Sequence, residues 1–125
     1  MIDSCRSRAD FTALRRGRRF ESDALWISVA PDPELERPRV AFAIGRRQGT
    51  AVARNRVRRR LREILREHSS ALIRGRYLIG TLQPASTVSY RQARTELLFL
   101  LETASGQNRR SQLARSDRDP SDLAP

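Results

Sequence analysis

Catalysis by a protein side chain needs a base, a nucleophile or a set of metal ligands, and this sequence of 125 residues supplies few of them. His68 is its one histidine, and the neighbours Glu67, Ser69 and Ser70 read as the end of a helix. Cys5 is its one cysteine, so no pair of histidines or cysteines has metal-ligand spacing. Gly45 and Gly49 flank Arg46-Arg47 but match neither nucleotide-binding glycine fingerprint. The 14 acidic residues are dispersed, mostly in loops or near the C-terminus, which argues against a two-metal nuclease centre made of carboxylates. No catalytic residue, protein-bound metal, cofactor or small-molecule substrate is therefore expected.

What the chain has in excess is arginine, which accounts for all 25 basic residues and a net charge of +11. Residues 54–62 read RNRVRRRLR, and residues 46–66 hold nine arginines against one acid, Glu63. A solvated helix face normally alternates its signs. This one does not, and the mutual repulsion of its cations calls for an external polyanion. The planar guanidinium can give two parallel hydrogen bonds to a phosphate and stack on a base, which lysine cannot. With 38% hydrophobic residues the chain reads as one foldable basic domain rather than a disordered arm. No apolar run approaches the roughly 20 residues of a spanning helix, and no signal-like segment opens the chain. A cytoplasmic protein with a nucleic-acid partner and no membrane partner is expected.

The elements that must hold these arginines are legible from periodicity. Ser7-Arg8-Ala9-Asp10 fits a capping box, with Phe11 and Leu14 behind it and Gly17 as a stop, so a first helix is predicted over 7–16. Leu25, Ile27 and Val29 alternate with Trp26, Ser28 and Ala30, a strand by its period of two. Three prolines mark 31–38 as a loop, and Val40, Phe42 and Ile44 define one face of a second strand. Thr50 is a candidate N-cap for a helix to about Glu67, in which Val57, Leu61, Ile64 and Leu65 share one side. A further strand covers Tyr77 to Leu82, and a last amphipathic helix spans Ser89 to Thr103. Residues 1–6 read as a flexible N-terminus and 104–125 as a disordered tail. The domain is then 7–103.

Strand, basic helix and strand form a β-α-β unit whose sheet has one bulky face and one small-residue face. Ser28, Ala41, Ala43 and Gly80 would leave a shallow trough, walled by Trp26 and Phe11. Equally, those small residues would let a helix approach closely.

The run from Gly45 to Glu63, GRRQGTAVARNRVRRRLRE, resembles the signature of the protein subunit of bacterial ribonuclease P. Residues 7–103 follow the family's order, with Pro38-Arg39-Val40 at a strand entry and Pro84-Ala85 after a strand containing Tyr77. The resemblance implies a single-domain α-β sandwich of α+β class, with a central, mainly antiparallel sheet and a left-handed crossover through the basic helix. That handedness is rare, because such connections are right-handed in about 98% of cases. It also implies that a catalytic RNA carrying magnesium ions cuts the 5′ leader from precursor tRNA, and that the protein assists. By the family's pattern Arg46, Arg54, Asn55, Arg56, Arg58, Arg59 and Arg62 face the catalytic RNA. Phe11, Trp26, Ser28, Ala43 and Arg47 hold the leader. Two departures concern the trough: Leu14 and Arg15 stand where the family has a second helical aromatic, and Ser28 stands where relatives have a tyrosine. A structural RNA-binding protein of ribosomal type would share the basic helix without needing the trough. A helix-turn-helix protein would need a short helix where this sequence has a strand.

Overall fold

In the computed structural model, which describes residues 2–117, the chain runs β1 (Asp3–Ser4), α1 (Arg8–Arg15), β2 (Arg18–Glu21), β3 (Leu25–Pro31), β4 (Arg39–Ala43), α2 (Ala51–Glu67), β5 (Gly75–Thr81) and α3 (Tyr90–Asp117). The five strands make one mixed sheet in the order β1-β4-β5-β3-β2. β5 pairs antiparallel with β3 and parallel with β4, so β4, α2 and β5 form the expected β-α-β unit. β2 adds a second antiparallel pairing and β1 a second parallel one.

The bulky face is the core. Leu25, Ile27 and Val29 of β3 and Tyr77 and Ile79 of β5 are buried there against Val57, Leu61, Ile64 and Leu65 of α2 and Ala93, Leu97, Leu100 and Leu101 of α3. Burying each such leucine or isoleucine contributes roughly 1.5–3 kcal/mol, so this interface dominates the stability of the fold. Thr50 caps α2 as predicted, its hydroxyl accepting from the Ala53 amide at 3.2 Å. Ser7 and Asp10 close the predicted capping box on α1.

Three boundaries differ from the expectations. The N-terminus is partly ordered, because the Asp3 amide donates to the Pro38 carbonyl (2.8 Å) and the Cys5 amide to the Val40 carbonyl (3.0 Å), and burying Cys5 favours that docking. β2 has no counterpart in the sequence reading: its RRFE carries only Phe20 as an apolar residue, and pairing with β3 rather than any alternation makes it a strand. The last helix continues past Thr103 to Asp117, since no proline interrupts it there. Residues 118–125 of the expected tail lie outside the described residues.

Candidate nucleic-acid interface

Two surfaces carry the residues singled out above. The first is the outer side of α2 with the 3₁₀ turn Arg46–Gln48 that leads into it. Gly49 ends that turn at φ 131°, a conformation that favours glycine, and Thr50 then starts the helix. Arg54 folds back on this entry, its Nε donating to the Gly49 carbonyl at 3.1 Å. Arg58 is anchored as well, with one nitrogen on the Asn55 Oδ1 (2.8 Å) and the other on the Ile44 carbonyl (2.7 Å). Arg54, Asn55 and Arg58 therefore brace the junction between β4 and α2. Arg62 lies over the Phe42 ring, its Cζ 5.4 Å from the centroid. Arg46, Arg47, Arg56 and Arg59 are exposed, and among the described residues their guanidinium groups have no ion pair or hydrogen bond; the same holds for Arg66. The predicted stripe thus divides into braces and free cations.

The second surface is the small-residue face, ordered by the register in three rows across β3, β5 and β4: Trp26–Gly80–Ala43, Ser28–Leu78–Ala41 and Ala30–Arg76–Arg39. α1 crosses β3 and β5 and covers the last row and part of the middle one. Asp10 secures it, its Oδ1 accepting from Arg76 (2.7 Å) and Arg39 (2.9 Å) while its Oδ2 accepts the Arg6 and Ser7 amides. Burial would raise the Asp10 pKa, but the Arg76 bond, helped by the Arg6 amide, Arg39 and the Ser7 amide, holds it well below the usual carboxylate range. Arg76 also reaches Asp32 at 3.0 Å. Ser28 is buried, and its hydroxyl donates to the Leu14 carbonyl at 3.1 Å. It fastens α1 to the sheet instead of flooring a trough.

The remaining row is partly exposed. Trp26 is half-buried and lies on the face away from Leu25, Ile27 and Val29. Its indole is packed against Gly80, where any Cβ would overlap the ring. Arg19 of β2 stacks on the indole with its Cζ 4.3 Å from the centroid, and its Nε donates to Glu21 at 2.9 Å. Ala43 is exposed, Phe11 of α1 is 38% exposed, and Leu78, between Ser28 and Ala41 in the register, is half-buried. The small residues therefore do two jobs: at one end Ser28 lets α1 approach the sheet, and at the other Gly80 makes room for the Trp26 indole. The sequence does not single out Arg19 or Leu78, and it points to Asp10 only as a cap and not as the partner of Arg76 and Arg39. Leu78 was available from the alternation with Tyr77 and Ile79, whereas Arg19 depends on a strand that has no periodic signal.

Among the described residues no helix is long and apolar enough to cross a membrane. The profile of the family described as Ribonuclease P matches residues 3–105. The chain is 38% identical over 101 residues to the ribonuclease P protein component of Thermobifida fusca, covering 74% of this chain and 69% of that one. It is 32% identical over 123 residues to the component from Brucella melitensis, covering 90% and 86%. The fold matches the Staphylococcus aureus RNase P protein with a TM-score of 0.73 at 22% identity, over 81% of this chain and 94% of that one. The Thermotoga maritima RNase P protein superposes with a TM-score of 0.69 at 22% identity, over 81% and 96%.

Proposed function

The chain belongs to the ribonuclease P protein family, and on that premise we propose that it binds a catalytic RNA through α2 and the 5′ leader of precursor tRNA through the open end of the trough. It is then a cytoplasmic subunit of a tRNA-processing endoribonuclease in which the RNA is the catalyst. Magnesium ions held by that RNA would supply the hydrolytic chemistry, and the protein's contribution is affinity and placement.

The observation that carries this reading is the presence of two surfaces with different chemistry. The free guanidinium groups of Arg46, Arg56 and Arg59 suit a phosphate backbone without regard to sequence. The face of the sheet that carries Trp26 and Ala43, together with Phe11 of α1, is partly exposed and partly aromatic, which suits unstacked bases of a single strand. Arg47 stands at the turn that follows β4 and can reach the strand's phosphates. Only the precursor carries a leader, so contacts in the trough favour substrate over product and leave release of the mature tRNA unhindered. The free arginines reduce repulsion between two polyanionic RNAs.

Trp26→Ala tests the reading. It should weaken binding of leader-bearing precursor by about 1–3 kcal/mol, the value of one base stacked on an aromatic ring once the base takes the place of the Arg19 guanidinium on the indole, and leave mature tRNA binding unchanged. Equal losses for the two RNAs, or no loss for either, would leave a structural RNA-binding role as the better description.

A further inference from the structure

A groove of about 460 Å³ runs between α2 and the outer edge of the sheet, apart from the trough. Arg58, Arg62 and Arg66, spaced every four residues along one stripe of α2, form one wall. Phe42 faces them, and Asp3 and Cys5 close the N-terminal side. β1 pairs with β4 only at Arg39 and Val40, so beyond Val40 this edge carries no strand. The Cys5 amide donates to the Val40 carbonyl, and by strand alternation the Phe42 amide and carbonyl point to the same edge.

We propose that this groove takes a single unpaired nucleotide of the RNA that α2 binds, an inference that rests on the RNA-binding role assigned to α2 above. A base drawn out of its stack needs a flat surface, hydrogen-bonding groups at its rim and a cation for its phosphate. The groove offers all three. Phe42 and the guanidinium of Arg62 supply the flat surface. The Phe42 amide and carbonyl supply a donor and an acceptor at the unpaired edge. Arg66, whose guanidinium is free among the described residues, supplies the cation. Arg58 is held on the Ile44 carbonyl and acts as a rigid wall. The volume lies within the roughly 300–1,000 Å³ of small-ligand sites. Bases in an RNA duplex are stacked and paired, so an unpaired residue is the one able to reach the edge. The same edge could accept a peptide strand, but three arginines against Asp3 favour a polyanion.

The test is photocrosslinking of the full-length chain to the cognate ribonuclease P RNA. A benzophenone amino acid, p-benzoylphenylalanine, would replace Phe42, Arg62 or, as a control on the outer stripe, Arg59. The expected result is a crosslink from positions 42 and 62 to one and the same unpaired nucleotide, with position 59 reaching a different site. Crosslinks from 59 alone, or from 42 and 62 to paired, scattered or protein positions, would overturn the groove and leave the role of α2 intact. No RNA crosslink from any position would overturn both. Arg62→Lys keeps the charge and the exposed position but loses the planar stack. It should weaken RNA binding about tenfold with an unchanged salt slope, and undiminished affinity would overturn the proposal.

Discussion

The arginines beneath α1 and those along α2 have opposite fates. Arg76 and Arg39 converge on Asp10 at 2.7 and 2.9 Å, and Arg76 continues to Asp32 at 3.0 Å. Arg46, Arg47, Arg56, Arg59 and Arg66 have no such partner among the described residues. Composition does not separate the two groups, since the side chain is the same. Position does. A cation enclosed between a helix and a sheet needs a carboxylate to offset its lost hydration, whereas a cation on an exposed stripe keeps its hydration until a phosphate replaces it. The first group builds the frame of the trough, and the second is left available for RNA.

Removing the frame should have the largest effect. Asp10→Ala leaves Arg76, whose side chain is 13% exposed, without its main partner, and should cost about 3 kcal/mol of stability, seen as a lower urea midpoint. A loss below about 1 kcal/mol would mean that Leu14 and Ser28 alone hold α1. The same carboxylate sets an acid limit. Its folded pKa lies far below its unfolded value of about 3.9, so its contribution is complete above pH ~4 and is lost as pH falls through the folded value. Urea midpoints followed downward from pH 5 should therefore drop more steeply for the natural chain than for Asp10→Asn, and parallel curves would assign the acid sensitivity elsewhere.

Within the trough, Gly80→Ala should cost about 1–3 kcal/mol, because the new methyl displaces the indole. Trp26 is the chain's one tryptophan, so its fluorescence emission should shift to longer wavelength as the ring moves toward water. An unaltered spectrum would contradict the close packing of the ring against Gly80. On the α2 side the effect on stability is smallest. Arg56→Ala with Arg59→Ala should change stability by no more than about 0.5 kcal/mol, yet lower the log–log salt slope of RNA binding by up to about 0.9 for each lost phosphate contact. An unchanged slope, or a large loss of stability, would erase the distinction between framing and free arginines.

The sequence made the α2 side readable because its information is local. Thr50, Val57, Leu61, Ile64 and Leu65 lie within one helix, and period and cap chemistry place them together. The alternation of β3 likewise put Trp26 on the face opposite Ile27. The trough was half legible for the opposite reason. Asp10 meets residues 29 and 66 positions away, and nothing within α1 distinguishes a carboxylate that only caps from one that also joins two strands. Ser28 has a similar ambiguity, since a small polar residue suits a trough floor and a helix contact equally well until the path of α1 is known. β2 offers no alternation at all, and Arg19 went unnoticed with it.

The strand order gives the assembly of the molecule a direction in time. β5 lies between β4 and β3, yet it is the last of the five strands to leave the ribosome. Until it arrives, β1 with β4 and β2 with β3 are two separate ribbons with no bond between them. A two-stranded ribbon is marginal in water, so the nascent chain has no platform on which to cover the apolar stripe of α2. Insertion of β5 joins both ribbons, buries that stripe and brings Gly80 under Trp26 in a single event. A chain released at Arg74 would therefore carry all the cations of α2, and the braces of Arg54 and Arg58, without the sheet on which that helix packs.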